Sequence, residues 1–203
     1  EGLIFSEVNY NSSVNSNAGD WIEIYNRTNS TMDLSGWKFS DSDNTHLYFI
    51  PINTTLQPNE RLVLVQDTLL FNFRFPFLSY NLNPFGFGFS SNGEVLRLFD
   101  SSGELYQVMR YDNDASWPQG ADGNGYTLEL VDYNGDLSNG NNWTIGCPEG
   151  SPFTGLINPC PVLSINEAEN FAGNINVYPN PSNGLFNIHL EDKELTSSKI
   201  QID

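Results

Sequence analysis

DWIEIYN (20–26) decides the fold class: Trp21, Ile22, Ile24 and Tyr25 sit around Glu23 in a strand-like run. Such a segment fits a pleated, half-buried strand. LIFSEVNY (3–10) precedes it with the same alternation of apolar and polar residues. Downstream come WKFSD (37–41), HLYFI (46–50), RLVLVQ (61–66), FGFGFS (85–90), EVLRLF (94–99), ELYQVMRY (104–111) and YTLELV (126–131). Gly, Asn, Asp and Pro punctuate the runs, and short strands in this pattern read as an all-β sandwich or barrel. Ser91-Asn92-Gly93 and Ser101-Ser102-Gly103 each place a glycine where a hairpin needs positive φ. The second turn brings Val95, Leu96 and Leu98 opposite Leu105 and Val108.

Composition agrees. The 203 residues contain 27 Asn and 20 Ser, with 17 Gly and 11 Pro, while Ala and Lys, strong helix formers, are scarce. Aromatic residues make up 13%, too many for a disordered chain. The net charge of −17 opposes a phosphate backbone and excludes nucleic-acid binding through a basic patch. No apolar run approaches the length of a membrane span. The first residue is Glu1, with neither an initiator Met nor a signal peptide, which reads as a processed protein or an excised fragment. The strand pattern places one sandwich over residues 1–146. CPEGSPFTGLINPCPVLSINEAENFAG (147–173) is broken by Pro and Gly and reads as a linker. Strand signals return at NINVY (174–178) and LFNIHL (185–190), with a third starting at KIQI (199–202). Three strands do not close a core, so 174–203 is expected to be one part of a second β domain.

GDWIEIYN (19–26) leading into DLSGWKFSD (33–41), then PNERLVLVQD (58–67), SWPQGADGNGYTLELVD (116–132) and NWTIG…GSPFTGLIN (142–158), resembles the bacterial, secreted type of lamin tail domain. The resemblance covers about residues 1–158 and implies an immunoglobulin-like β-sandwich. It gives no role to the Phe-rich loop 68–84. YPNP-x-x-G, carried by Tyr178, Pro179, Asn180, Pro181 and Gly184, resembles the start of a type IX secretion sorting domain. That resemblance implies the type IX export machinery as a partner, and a secreted or outer cell-surface location in a Gram-negative bacterium. In such a protein the two cysteines, Cys147 and Cys160, are expected to form a disulfide. Asp67-Thr68-Leu69 resembles the short bacterial O-glycosylation acceptor, with Thr68 as the acceptor.

Candidate chemistry is thin. The imidazoles are His46 and His189, and neither a G-x-S-x-G elbow nor an H-E-x-x-H motif occurs. Glu7, Glu23, Glu94 and Glu129 lie on alternating strands and are expected to face solvent rather than form a hydrolytic pair. Asp41 and Asp43, Asp112 and Asp114, Asp122, and Asp132 and Asp136 gather oxygen ligands on turns that would suit Ca²⁺, the one candidate cofactor. The competing reading is ordinary turn chemistry. Trp21 and Trp37 are expected in the core, Trp117 and Trp143 at an exposed sugar-binding platform. FNFRFPF (71–77), with Phe73 and Phe75, is expected either as an edge strand burying one aromatic face or as an exposed partner site. Together these residues point to a non-catalytic secreted or surface module of a larger protein, binding an extracellular protein or polysaccharide. A Ca²⁺-stabilised carbohydrate-binding or adhesion module is the alternative, and a hydrolase ranks last.

Overall fold

The computed structural model describes residues 2–78, 80, 82–157, 160, 175–178 and 187–190. It divides into two units, Glu1–Pro161 and Val162–Asp203. The first unit carries β1 (Leu3–Asn9), β2 (Trp21–Asn26), β3 (Met32–Asp33), β4 (Lys38–Ser40), β5 (Tyr48–Phe49), β6 (Thr55–Leu56) and β7 (Arg61–Val65). A short helix, α1 (Thr68–Arg74), follows, then β8 (Glu94–Phe99), β9 (Leu105–Tyr111), β10 (Tyr126–Leu130) and β11 (Trp143–Pro148). The second unit contains β12 (Ile175–Tyr178) and β13 (Asn187–Leu190), paired antiparallel from Ile175↔Leu190 to Tyr178↔Asn187. Of the YPNP-x-x-G phrase, Pro179, Asn180, Pro181 and Gly184 lie outside the described residues, as does KIQI.

Two antiparallel sheets form the sandwich. The larger runs β11-β10-β1-β2-β7 and the smaller β5-β4-β8-β9, with β3 and β6 paired to each other at the side. The core between the sheets is aromatic. Phe39 of β4 packs on Phe5 of β1 at 6.4 Å and on Phe85, Phe87 and Phe89 at 5.4, 6.0 and 5.9 Å. FGFGFS alternates as read, with all three phenylalanines buried, but joins no strand ladder in the structure. Gly86, at φ +79°, holds a conformation that a side chain would resist, and this breaks a regular strand.

All seven residues of β1 are buried, so the larger sheet is covered on both faces. Trp21, Val63 and Val65 form a second apolar cluster with Phe71 on its outer face. The cover is α1, and here the edge-strand reading of FNFRFPF fails. Asp67 caps the helix, accepting hydrogen bonds from the Leu69 and Leu70 amides at 2.8 and 3.1 Å. Helical spacing then puts Phe71 and Phe75 on one side, edge-on to Trp21 at 6.1 and 6.4 Å, and turns Phe73 out to 84% exposure. The alternation of phenylalanines held no strand because Pro76 and the cap chose a helical turn instead.

The boundary expected after residue 146 falls inside β11, and the start of the expected linker is folded. Ser151 is buried, and the Cys147–Cys160 disulfide, with Cα atoms 5.3 Å apart, closes the segment into a strap. We expect Phe39→Ala to lower unfolding free energy by about 3–5 kcal/mol in chemical denaturation. Phe73→Ala is expected to change it by less than about 0.5 kcal/mol.

Candidate functional site

The four strand glutamates divide sharply. Glu94 is half-buried, whereas Glu7, Glu23 and Glu129 are fully buried, against the expectation that they face solvent. Register explains it. Glu7 lies opposite Glu129 on one side and Glu23 on the other, and Glu23 opposite Val63, so one row crosses β10, β1, β2 and β7 on the outer face. The strap lies over this row. Gly150 permits the contact, since a Cβ there would sit 2.6 Å from Glu7 Oε1 and 2.8 Å from the Trp21 ring.

The strap and the strands supply donors. The Ser151 amide donates to Glu7 Oε1 at 2.9 Å and the Phe153 amide to Glu23 Oε2 at 2.7 Å. Thr127 Oγ1 donates to Glu7 Oε1 at 2.6 Å, and Ser6 Oγ to Glu23 Oε1 at 2.7 Å. Arg61 faces the row with Nε 3.0 Å from Glu23 Oε1, and its guanidinium lies over the Tyr25 ring. Ser151 Oγ touches Glu129 Oε1 at 2.6 Å, Gly155 O at 3.0 Å and Glu7 Oε2 at 3.3 Å. A hydroxyl has one proton to give. A proton on Glu7 or Glu129, donated back to Ser151 Oγ, satisfies a second of these three contacts.

Electrostatics points the same way. Burial raises the Glu7 carboxyl well above its usual range, with Glu129 and Glu23 adding to the shift against the opposing Thr127 and Ser151 bonds. Burial likewise raises Glu23, opposed by Ser6, Arg61 and Phe153, and Glu129, opposed by Ser151. Asp20, whose Oδ2 accepts the Phe89 amide at 2.6 Å, is pushed up to about 6 by burial. Buried as it is, the glutamate row holds the strap.

The turn aspartates do not converge. Asp43 caps Thr45, Asp114 caps Ser116, Asp132 caps Asn134 and Asp136 caps Ser138 through their Oδ1 atoms. Asp112 pairs with Arg110 at 3.1 Å and Asp122 accepts from Asn11 at 2.7 Å. Among the described residues no three His, Cys, Asp or Glu side chains assemble as a metal site. Asp41, buried, holds His46 through a 2.6 Å contact to Nδ1, and the ring stacks on Phe87 at 4.8 Å. That contact raises the His46 pKa.

The tryptophan platform is corrected as well. Trp117 and Trp143 are buried at 6% and 4% exposure and pack together at 6.4 Å. Trp143 Nε1 donates to Leu137 O at 2.9 Å, which satisfies its one polar atom inside. Gly140 makes room for the pair, since a Cβ there would lie 3.0 Å from the Trp117 ring. Phe75 is half-buried against Trp21 while Phe73 is exposed, and Thr68 is half-buried as the first residue of α1. Sequence reading missed the glutamate row. The available signal was Trp21 and Tyr25, two aromatics on the same strand face as Glu23, which mark a covered surface.

With both sheets and the covered outer face in place, the family follows. A family model for the lamin tail domain matches residues 1–113. That is more than half of the 203 residues, and the chain belongs to the lamin tail domain family, with an immunoglobulin-like β-sandwich fold. No curated protein matches the sequence. The match ends before β10 and β11, which complete the larger sheet and bring in Glu129 and the strap.

The buried carboxyls set a pH dependence. A carboxyl held above its unfolded value of 4.5 favours folding while protonated, and that contribution is lost as pH rises through the folded value. Asp20 acts alike between 3.8 and about 6. His46, raised above 6.5, also favours folding below 6.5 and loses that contribution on the alkaline side. Exposed Asp33, Asp43, Asp100 and Asp114 are lowered by turn hydrogen bonds, so their contribution is lost on acidification below 3.8. The melting temperature should therefore fall from about pH 5 to about pH 8. Glu7→Gln, which has no charge to acquire, should flatten that slope in scanning calorimetry across the same range. Ser151→Ala should cost about 1–3 kcal/mol, the penalty for leaving buried oxygens short of a partner.

Proposed function

We infer that this lamin tail domain is a non-catalytic interaction module of a larger exported protein, presenting its surface to an extracellular protein or polysaccharide. The observation that carries the reading is the outward apolar row of α1 and the turn that follows it. Leu69 and Phe73 on the helix and Phe77 in that turn are 81%, 84% and 98% exposed, while Phe71 of α1 is anchored against Trp21. Exposed apolar groups held on a rigid base are a common sign of a partner site. Export is supported by the Cys147–Cys160 bond, since disulfides persist in oxidising compartments. The resemblance of Tyr178–Gly184 to a type IX sorting start names the route, a Gram-negative outer membrane. The reading requires no cofactor. Most of the candidate Ca²⁺ ligands already cap their own turns, which favours a metal-free module over the Ca²⁺-stabilised one.

A photo-crosslinking side chain placed at Phe73, in the full chain on its native cells, is expected to give a discrete adduct with a surface macromolecule. The same group at exposed Ser102 is expected to give none. Equal labelling from both positions would sink the interaction reading. Replacing Pro179 and Gly184 together should leave the protein inside the cell; unchanged export would remove the sorting assignment. Excess Ca²⁺ and EDTA should give the same melting temperature, whereas a rise that scales with Ca²⁺ concentration would establish a metal-bound module.

A further inference from the structure

The loop joining β10 to β11 closes one side of a cavity of about 350 Å³, within the size range of small-ligand sites. Ile4 of β1, Val108 of β9, Tyr133 and Leu137 contribute to its lining, together with the polar groups of Arg27, Gln107, Asn134 and Asp136. The polar walls are fixed. Arg27 donates to Tyr133 O and to Asn134 Oδ1, which turns the Asn134 amide so that its NH₂ is the free end. Gln107 Oε1 accepts the Val108 amide at 3.0 Å, which likewise leaves Gln107 Nε2 as the unused donor. Asp136 Oδ1 accepts the Ser138 amide at 2.8 Å, leaving Oδ2 as an unused acceptor. Ser138 Oγ in turn takes the Arg110 amide at 3.0 Å, pinning the loop to β9. Asn142 Nδ2 donates to Asp132 O and Asp136 O at 3.0 and 3.3 Å. Gly135 lets Asn142 in, because a Cβ there would collide with that amide.

We propose that this cavity binds a neutral sugar unit. Two amide donors and one carboxylate acceptor in a mainly polar lining match adjacent hydroxyls that each accept one hydrogen bond and donate another. The single guanidinium is spent on the loop, and a carboxylate stands nearby, so the walls do not favour a phosphate or other anion. An extended peptide is poorly served. Two β9 amides, those of Val108 and Arg110, already bond side chains rather than offering a ladder. The site shares no residue with α1, so it stands or falls apart from the partner surface proposed there.

The test is a titration of the full ¹⁵N-labelled chain with glucose, galactose, mannose and N-acetylglucosamine, followed by NMR. At least one sugar is expected to give saturable shifts, with a Kd of about the millimolar range. The side-chain amides of Gln107 and Asn134 are expected to move most. Asp136→Asn keeps the Ser138 cap and should weaken that binding about 10-fold or more, with the melting temperature unchanged. Gln107→Met serves as a second variant with the same expectation for binding, and Asp100→Asn, on the β8–β9 turn, should leave it unaltered. No saturable shift with any of the four sugars would overturn the proposal. So would shifts centred outside the cavity, undiminished binding by both variants, or equal binding of triglycine.

Discussion

Three carboxyl groups in a row, sealed beneath a strap and facing one arginine, are the constraint around which this domain is arranged. Ions of one sign are expensive to bury together, and the cost falls only when protons or donors neutralise them. Arg61 pairs directly with Glu23 and reaches Glu129 only at longer range. Glu7 and Glu129 depend on the Ser151 amide and hydroxyl, so β11 must be followed by a segment that turns back over the sheet. Gly150 allows that approach, the disulfide closes it, and the Arg74–Glu149 ion pair joins it to α1. The two covers of the outer face, helix and strap, are thus one structure. The row organises the sheet beneath it as well, because any slip of β1 against its neighbours would carry Glu7 away from these donors.

Much of the fold was legible. The strands that the residues suggested at 3–10, 20–26, 61–66, 94–99, 104–111 and 126–131 all appear, because alternation reports burial on one face directly. The Asn- and Gly-rich junctions became the turns they suggested, and Cys147 joined Cys160. What escaped reading depends on tertiary cover. Alternation cannot reveal that a second layer lies over the outer face, so glutamates that look solvent-facing are sealed. The same limit explains Trp117 and Trp143, whose Pro- and Asn-rich surroundings suggested exposure although Trp117 packs against Gly140 and Trp143 bonds to Leu137 O inside. Phenylalanine at every second position of 71–77 gave the wrong period, because a capping aspartate at residue 67 and Pro76 outweighed the pattern.

The candidate sites were less legible than the fold, for a related reason. Asp and Asn serve both as turn formers and as ligands, and sequence does not say which oxygen is already occupied. Asp136 shows the difference: as one of many acidic loop residues it carried no distinction, yet it lines one cavity with two amides whose oxygen ends are committed. Arg27 offered no signal at all, since its task is to aim Asn134 across 107 residues of sequence.

The disulfide also decides how tension travels. Cys160 is bonded to Cys147 in the last strand of the sandwich, one residue before the first compact unit ends. A pull on the chain beyond that point bypasses residues 148–159 and is delivered to β11, whose ladder with β10 runs from Tyr126↔Pro148 to Leu130↔Trp143. The strap between the two cysteines carries none of the load. The domain is therefore a mechanical anchor with a protected interior: its resistance to extraction is set by the edge pair β10–β11, and reduction of one bond transfers the force to the strap.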